Sequence, residues 1–522
     1  MAKFDFRPKA YEKELKPLLR ELVSGKDYDK VLRRYPKTKS RLFTKAEVIA
    51  GLRHFGYEDK MLAKPIRTIS GVVPVTLLTK PYPCPGKCIF CPTDVRMPKS
   101  YLSAEPGAQR AAANNFDPYN QVSSRLQTYY ANGHTTDKVE LIILGGTWSA
   151  YPLPYKLWFI TRCFEALNEF KPDKKLLMPQ ISGEAAWPRL LKAQKINETT
   201  ASRCVGLSIE TRPDFITLGQ LIELRKMGCT KIQIGIQSLD NRVLRLNNRG
   251  HDVKATRKAI TLLRQFGFKI QAHWMANLYG STPAKDIVDF KKLFSQKWYR
   301  PDELKIYPCS LIATSVLMKY YQKGLWRPYT HEELLEVLTT ILPDVAEYCR
   351  VSRMIRDFSS DDIVVGNKTT NFRQLVEAKA KNIREIRFRE IRGRAVRQED
   401  LRLKIITYTT STGKEKFLQW VTKDNRIAGF LRLSLPVGEV PIPELAGAAL
   451  IRELHIYGRA LALGGRAKTQ HLGLGKQLLF KAKTLAAGYN QLSVISSIGT
   501  RQYYRRQGFK GGELYQYLKL VD

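Results

Sequence analysis

Residues 71–310 contain six short apolar runs that are separated by helical stretches. This alternation limits the folds that the segment can adopt more than any other feature. Short β-rich runs that alternate with helices predict strands that pair in parallel. We therefore expect an α/β fold whose first large domain is a partial (βα) barrel. The runs are Val72 to Leu78, Val139 to Leu144, Cys204 to Ile209, Lys231 to Ile236, Lys269 to Met275 and Glu303 to Tyr307.

Three cysteines follow the first of these runs within eight residues. Cys84, Cys88 and Cys91 stand in the sequence Cys-Pro-Gly-Lys-Cys-Ile-Phe-Cys, and the next cysteine is Cys163. Three thiolates so close together can wrap one soft metal centre, and their softness favours cluster iron or zinc over hard cations. With no fourth cysteine nearby, the loop predicts an iron-sulfur cluster that leaves one iron open.

A small molecule that carries an amine and a carboxylate, such as S-adenosylmethionine, can chelate an open iron of this kind. The C-x3-C-x2-C spacing is the signature of radical S-adenosylmethionine enzymes, so we predict a 4Fe-4S cluster that binds this cofactor. The alternatives are a zinc site completed by a distant residue, and buried structural thiols. Both are disfavoured, because zinc sites usually come as paired C-x2-C units and buried cysteines do not cluster in this way.

The ends of the second and third strands carry candidate cofactor contacts. Gly145, Gly146 and Thr147 close the second strand, where glycines expose backbone groups that can hold the amino group of the cofactor's methionine. A Gly-Gly turn by itself more often has no binding role. Here it lies one strand after the cysteine loop, and this position favours a contact with the cofactor. Glu210 and Arg212 end the third strand, where we expect a carboxylate and a guanidinium to contact ribose and carboxylate.

The fourth and fifth strands add Gln237 as a further cofactor contact and His273 as a catalytic candidate. His273 is as readily explained by a satisfied core histidine as by a substrate contact, and both interpretations stay open.

The chain is strongly basic, with 87 Lys+Arg against 48 Asp+Glu and a formal net charge of +39. This excess predicts a polyanionic partner, and a membrane surface is the weaker alternative. Basic residues concentrate in a helical segment over 1–70 and in a run over 311–395; helical faces exposed to solvent are the plain alternative for both. The second run comprises Lys368, Arg373, Lys379, Lys381, Arg384, Arg387, Arg389, Arg392 and Arg394.

Several features predict a cytoplasmic location. No apolar stretch has the length of a transmembrane helix, and the start of the sequence lacks the apolar core of a signal peptide. Eight cysteines without a disulfide-like framework fit a reducing compartment.

Residues 396–522 change in character. Four β-rich runs predict successive antiparallel strands: Leu403 to Tyr408, Glu415 to Val421, Ile427 to Ser434 and Ala449 to Ile456. A Q-x-x-G-x-G turn and an amphipathic helix follow, and such a turn presents unpaired amides to a pyrophosphate. Antiparallel strands argue against a dinucleotide fold and for an α+β GNAT acetyltransferase domain that binds acetyl-coenzyme A. The residues expected at this site are Gln470, Leu472, Gly473, Leu474, Gly475 and Lys476.

Resemblance to GNAT enzymes also implies a proton donor. In those enzymes a tyrosine four residues before a Gly-Phe pair often lies by the thioester sulfur, which corresponds to Tyr504 ahead of Gly508 and Phe509. Tyr503 is the neighbouring candidate, and at least one of the two tyrosines is expected to be a packing aromatic.

A cysteine loop in a barrel joined to a GNAT domain resembles the catalytic subunit of Elongator, the tRNA-modifying acetyltransferase, in its single-chain prokaryotic form. The resemblance covers nearly the whole chain. Beside the cysteine loop, it is carried by Asp117 to Tyr119, Val139 to Thr147, Gly206 to Asp214, Gln233 to Ser238, Leu304 to Pro308, Arg452 to His455, Gln470 to Gly475 and Gly499 to Phe509.

The resemblance implies that the substrate is the wobble uridine in the anticodon stem-loop of tRNA, and that the product is 5-carboxymethyluridine or its precursor. A 5′-deoxyadenosyl radical would take hydrogen from the methyl group of acetyl-coenzyme A, and the carbon radical would add to C5 of the uracil. Hydrolysis of the thioester would leave the carboxymethyl group. A homodimer stays open, and accessory Elongator subunits are not expected.

The expected organisation is a basic helical tRNA-binding segment (1–70), a radical S-adenosylmethionine barrel (71–310), a basic helical linker (311–395) and the acetyl-coenzyme A domain (396–522). The resemblance implies a zinc-binding cysteine cluster in the linker, whereas residues 379–390 contain no cysteine, and Cys309 as a single surviving thiolate does not make a structural zinc site. We therefore expect no zinc there, and packing around Phe388 in its place.

Two other functions compete. One is a protein lysine acetyltransferase that uses the barrel as a docking platform. The other is a nonenzymatic tRNA-binding scaffold with vestigial sites. The intact cysteine loop argues against the scaffold, and the basic N-terminal segment argues against a cationic histone tail as substrate.

Overall fold

The computed structural model describes residues 6–38, 40–57, 68, 70–171, 186–392, 394, 396–458 and 473–520. The helices there are α1 Glu12–Val23, α2 Tyr28–Arg34, α3 Lys45–His54, α4 Pro106–Ala113, α5 Pro118–Ala131, α6 Leu153–Glu169, α7 Trp187–Asn197, α8 Leu218–Lys226, α9 Asn241–Leu246, α10 Val253–Gln265, α11 Pro283–Ser295, α12 Leu317–Gln322, α13 His331–Ile341, α14 Phe372–Lys379, α15 Ile386–Arg389, α16 Leu474–Leu485 and α17 Arg501–Arg505. The strands are β1 Val73–Leu78, β2 Lys138–Leu144, β3 Arg203–Thr211, β4 Lys231–Gln237, β5 Lys269–Ala276, β6 Glu303–Pro308, β7 Leu311–Ile312, β8 Arg350–Arg353, β9 Ile363–Val365, β10 Arg402–Thr410, β11 Gly413–Val421, β12 Ile427–Pro436, β13 Ala448–Ile456, β14 Gln491–Val494, β15 Lys510–Gly511 and β16 Gln516–Lys519.

The first three helices form a small bundle around leucines at helical spacing. Leu15, Leu18 and Leu19 of α1 are fully buried against α2 and α3. The bundle is tied to the barrel through Arg53, whose Nη1 donates to the Tyr130 carbonyl at 2.5 Å and whose guanidinium stacks 3.8 Å from the ring centroid. The N-terminal helices are therefore fixed against the body of the protein.

The predicted parallel barrel is confirmed. Strands β1 to β6 lie side by side in chain order, all parallel, and form an open half-barrel sheet. Pro74 lies in β1, which is an edge strand and has no ladder to complete on its outer side. The carboxyl ends of these strands meet at one edge, and the chemistry-bearing loops leave from there.

A seventh parallel strand extends this sheet. β8 pairs with β6 and lies in the segment where the sequence predicts only helices and a basic run. It has four residues, Arg350-Val-Ser-Arg353, of which only Val351 is buried and apolar. A strand this short and this charged has no alternation from which it could be recognised.

The C-terminal sheet has the order β10-β11-β12-β13-β14-β16-β15. The four predicted strands are antiparallel neighbours, as expected, while β14 pairs in parallel with β13 only over Ala448 to Ile451. β14 ends at Val494, opposite Ile451, whereas β13 continues to Ile456 along β12. We call the side of β13 beyond Ile451, which no described strand pairs with, the gap; Gly475 in the first turn of α16 lies beside it, near Leu454 and Ile456.

One apolar core runs through both sheets. Barrel residues such as Leu304 belong to the same buried cluster as Phe430 and Tyr457 of the C-terminal sheet. No helix of the described residues combines the length and the apolar composition needed to cross a membrane.

Candidate functional site

The three cysteines lie in the loop after β1, at the edge where the parallel strands end. Cys84 Sγ is 3.5 Å from Thr147 Oγ1, just beyond the end of β2. Cys88 Sγ accepts from Arg249 Nη1 at 3.3 Å, and Arg212 Nη1 approaches it at 3.9 Å. The fold thus brings the cysteine loop to the ends of β2, β3 and β4, as the sequence predicts.

The chemistry of this loop fits a cysteine-ligated iron-sulfur cluster. It offers three soft sulfur donors, and the guanidinium groups of Arg249 and Arg212 add positive charge beside Cys88. Burial, followed by the proximity of Cys88, raises the pKa of the Cys91 thiol to about 12, so ligation releases a proton there. Among the described side chains no three Cys, His, Asp or Glu already form a metal-ligand set.

The glycines after β2 are required by close packing. Gly145 has φ +152°, and a Cβ there would lie 1.8 Å from Thr79 Oγ1. Gly146 has φ +81°, and its Cβ would lie 3.1 Å from the Lys99 carbonyl oxygen. This tight turn sets Thr147 beside Cys84. Any side chain at these two positions would push the turn away from the cysteine loop.

A polar pocket opens inside the barrel next to Cys91. The predicted residues Glu210, Gln237 and His273 line it. Glu210 accepts from the Tyr101 hydroxyl at 2.8 Å through Oε2, and its Oε1 is 3.6 Å from His273 Nδ1. The side chains of β3, β4 and β5 that the sequence singled out therefore share one cavity.

Arg212 lies apart from this cavity. Its guanidinium pairs with Asp214 at 3.0 Å, donates to the Arg249 carbonyl at 2.6 Å and faces Cys88. Glu210 and Arg212, which the sequence places together at one ligand, thus lie on two sides of the site. Arg212 is positioned toward the cysteine loop and Glu210 toward the barrel interior.

Several residues that line the pocket have no role predicted from the sequence. Lys305 and Tyr307 of β6 line it, and Arg353 and Arg356 reach it from β8 and the loop that follows. Arg356 donates to Ser100 Oγ at 2.8 Å, in the segment that follows the cysteine loop. Lys305 and Tyr307 were recognisable in principle, because they are inward positions two apart on a predicted strand.

The second candidate site lies at the start of α16. Gly473 is the N-cap with φ +69°, a left-handed conformation that favours glycine. A Cβ at Gly475 would lie 2.9 Å from the Tyr503 hydroxyl and 3.8 Å from Ile456. The first turn of α16, with Leu474 and Lys476, therefore faces the gap beside β13. Gln470 and Leu472 fall outside the described residues.

The two tyrosines of α17 differ in their surroundings. Tyr504 is 6% exposed and packs edge to face against Phe509, and burial raises its pKa well above the ordinary value. Tyr503 is 36% exposed, its pKa is raised to about 12 by burial, and its hydroxyl lies over Gly475. The ring of Tyr504 thus packs in the core while that of Tyr503 is half-exposed, and both tyrosines remain candidates for the donor role.

Hydrogen bonds hold residues 379–390, the segment in which the resemblance to Elongator implies cysteines that this chain lacks. Glu385 caps α15 by accepting from Phe388 N at 2.9 Å, and it also accepts from Val351 N and from Arg373. Arg389 is buried and donates to Gln419 and to the Glu347 carbonyl. Phe388 packs at the edge of the core as expected. The hydrogen bonds of Glu385 and Arg389 also hold this segment, and the sequence did not predict them. Several members of the basic run are therefore structural.

A buried network of charges joins the two sheets below the pocket. Asp302, just before β6, pairs with both Arg432 of β12 and Arg452 of β13. Lys269 at the start of β5 pairs with Glu453 of β13, and Arg432 donates to Glu453 at 2.8 Å. The amino ends of the barrel strands are therefore fixed to the C-terminal sheet, and the carboxyl ends remain open for the site.

The sequence matches the model of the radical S-adenosylmethionine superfamily over residues 82–290, and that of the radical S-adenosylmethionine C-terminal domain over residues 301–382. A structure of an archaeal Elp3 from Methanocaldococcus infernus that lacks residues 1–46 superposes with a TM-score of 0.72 and 34% identity, over 87% of this chain and 100% of that one.

Two named relatives extend the match along the sequence. The tRNA uridine(34) acetyltransferase of Dehalococcoides mccartyi is 38% identical over 85% of this chain and 96% of its own length. Elongator complex protein 3 of Bos taurus is 34% identical over 86% of this chain and 84% of its own. The chain belongs to the family of tRNA uridine(34) acetyltransferases and Elongator complex protein 3.

Proposed function

We propose that this protein is a tRNA uridine(34) acetyltransferase of the radical S-adenosylmethionine type, which builds a carboxymethyl group on C5 of the wobble uridine. The observation that carries the proposal is the 38% identity to an enzyme of that name over 85% of the chain. One chain contains a cysteine loop in a half barrel together with a domain of the kind expected to bind acetyl-coenzyme A. The same protein would therefore generate the radical and bind the acetyl donor.

In the barrel, Cys84, Cys88 and Cys91 would hold a 4Fe-4S cluster, which supplies the electron that cleaves S-adenosylmethionine. The Gly145–Gly146 turn brings backbone groups close to the cysteine loop, where they suit the cofactor's amino group. Arg212 adds positive charge on that side, suited to the cofactor's carboxylate, and Glu210 offers a carboxylate oxygen to ribose hydroxyls.

In the C-terminal domain, the backbone amides of Leu474, Gly475 and Lys476 would hold the pyrophosphate of acetyl-coenzyme A, which suits their place in the first turn of α16. The gap beyond Ile451 leaves room for the pantetheine arm of acetyl-coenzyme A. Tyr504 is the donor that the resemblance implies for the departing thiolate, and Tyr503 is supported by its position over Gly475.

The net charge of +39 supports tRNA, through its anticodon stem-loop, as the polyanionic partner. Flipped bases of single-stranded RNA are commonly read by stacking and edge contacts inside pockets. The cytoplasmic location, the division into four segments and action without accessory subunits stay predictions, and a homodimer stays an open question.

Mass spectrometry of tRNA nucleosides tests the proposal. The full chain, reconstituted under anaerobic conditions with S-adenosylmethionine, reductant and acetyl-coenzyme A, should yield 5-carboxymethyluridine or a related 5-substituted uridine. Omission of S-adenosylmethionine should abolish the product. Acetyl transfer to a protein lysine without S-adenosylmethionine, and no modified uridine, would replace this function with the lysine acetyltransferase alternative.

A further inference from the structure

A ring nitrogen without a partner lies in the wall of the barrel pocket. His273 is 4% exposed, and its Nε2 makes no hydrogen bond within the described part of the chain. Its other nitrogen, Nδ1, is 3.6 Å from Glu210 Oε1, and Glu210 is itself held by the Tyr101 hydroxyl. A buried polar atom without a partner costs free energy, and at a functional site it usually has a partner that arrives later.

The surroundings of His273 determine which hydrogen-bonding role Nε2 takes. Burial, followed by the nearby cations Lys305, Arg356, Arg249 and Arg353, holds the pKa of the imidazole well below its ordinary value. The ring is therefore neutral at pH 7. Its single proton is favoured on Nδ1, which faces the Glu210 carboxylate, and Nε2 is left as an acceptor.

A donor stands directly beside this acceptor. Lys305 is the register partner of His273 across the β5–β6 pair, so the two side chains leave the same face of the sheet side by side. One hydrogen of the Lys305 amine is used by Gln233 Oε1 at 2.5 Å, and no other acceptor for this amine is found among the described residues, while Lys305 lines the pocket. Burial lowers the pKa of Lys305 to about 7, and both of its protonation states carry N–H donors.

We propose that His273 and Lys305 form the subsite that reads the Watson–Crick edge of the target uracil, with Nε2 accepting from N3–H and the amine donating to a flanking carbonyl oxygen. This inference rests on the proposed function. Uracil presents a donor at N3 between two acceptors, which is the complement of an acceptor beside a donor. Cytosine presents a bare N3 lone pair to Nε2 and places an amino group where uracil has O4. The pair therefore selects uridine over cytidine at position 34.

The test compares anticodon stem-loop RNAs that differ only at position 34, with uridine, cytidine or N3-methyluridine, bound to the anaerobically reconstituted full chain. Wild-type protein should bind the uridine RNA on the order of tenfold more tightly than either of the others, as expected for one buried hydrogen bond gained or left unmade. His273→Phe keeps a ring of similar size and removes the acceptor, so the three dissociation constants should converge.

Two further variants separate recognition from folding. His273→Gln keeps an amide oxygen and should retain most of the discrimination. His331→Phe makes the same exchange on α13, outside the pocket, and should leave the ratio unchanged. Full discrimination in His273→Phe, or none in the wild-type protein, would overturn the subsite.

Failure of the subsite and failure of the proposed function give different results. Wild-type protein that modifies uridine 34 while His273→Phe discriminates normally refutes only the subsite. Wild-type protein that makes no modified uridine refutes the function on which the subsite rests.

Discussion

Arg452 holds the carboxylate of Asp302 with both terminal nitrogens, Nη1 to Oδ2 at 2.9 Å and Nη2 to Oδ1 at 2.5 Å, and both side chains are completely buried. Arg452 belongs to β13 and Asp302 to the turn before β6, so the pair joins the acetyltransferase sheet to the barrel. A bidentate geometry of this kind is among the strongest that an arginine and a carboxylate can adopt. The relative position of the two candidate sites depends on it.

Arg452→Met should destabilise the protein by about 3–5 kcal/mol, because it leaves Asp302 as a buried charge with reduced compensation. The free energy of unfolding in denaturant measures this. Arg327 and Glu333 form a matched control pair on the surface, where Arg327→Met should cost less than about 1 kcal/mol. Equal destabilisation of the two variants would mean that the buried pair contributes no more to the free energy of unfolding than the exposed pair does.

Acid should weaken the same interface. Nearby arginines, led by Arg452, hold the pKa of Asp302 below its ordinary value despite burial, and Lys231 and Lys269 do the same for Glu303. A lowered folded-state pKa stabilises the protein above the unfolded value, about 3.9 for Asp, and this contribution is lost as the pH falls through the folded value. Unfolding free energy should therefore decline from about pH 5 downward. A flat profile between pH 5 and 3 would contradict this.

Replacement of Cys84, Cys88 and Cys91 with alanine should abolish the brown absorbance of the reconstituted cluster and the cleavage of S-adenosylmethionine. Binding of tRNA should persist, because contacts to the phosphate backbone supply most of its affinity. Absorbance spectra, 5′-deoxyadenosine formation and a tRNA binding assay on one preparation separate these effects. Cleavage at the wild-type rate would rule out the cluster at this loop.

Tyr504→Phe should leave acetyl-coenzyme A binding intact and lower thiol release on the order of 10²-fold, a usual size for a lost general acid. Calorimetric titration measures the first and a free-thiol assay the second. Tyr503→Phe is the matched variant one residue away. If thiol release falls in Tyr503→Phe and stays normal in Tyr504→Phe, the donor is the tyrosine over Gly475.

Point substitutions in α2 should reveal which basic residues bind RNA. Lys30 and Arg33 form no ion pair among the described residues, whereas Lys37 pairs with Glu47 at 2.5 Å and stacks on Phe6. Replacement of Lys30 and Arg33 with glutamine should reduce the slope of log K against log salt for tRNA by roughly 0.7–0.9 for each phosphate that is no longer neutralised.

Lys37→Met provides the contrast in the same segment. It should lower stability and leave that slope unchanged, because Lys37 is engaged inside the bundle. An unchanged slope in the Lys30 and Arg33 variant would identify α2 as a face exposed only to solvent.

The elements that the sequence predicts well are those fixed by local patterns. Strands β1 to β6 are apolar runs with clear flanks, and the cysteine loop and the Gly145–Gly146 turn follow strands as the parallel arrangement requires. The shared cavity of Glu210, Gln237 and His273 follows from the same logic, because strand ends of a parallel sheet meet at one edge.

The features that the sequence does not predict depend on contacts between residues that are far apart in the chain. β8 becomes a strand by pairing with β6 at the sheet edge, and nothing in its four residues signals that. Arg212 contacts Cys88 and Asp214 and therefore points away from Glu210. This separation depends on how the loops fold and cannot be read from the sequence. Arg389 looks like a solvent-exposed basic residue until the strands that bury it are in place.

The single apolar core that includes Leu304, Phe430 and Tyr457 limits how this enzyme can be divided. Half-proteins cut between the two sheets would each expose part of that core together with charges whose partners lie in the other half, such as Asp302 and Arg452. Coexpressed fragments would have to assemble while they fold. Because the amino ends of the barrel strands are joined to the C-terminal sheet, we expect substrate to approach the barrel pocket from the loops at the carboxyl ends.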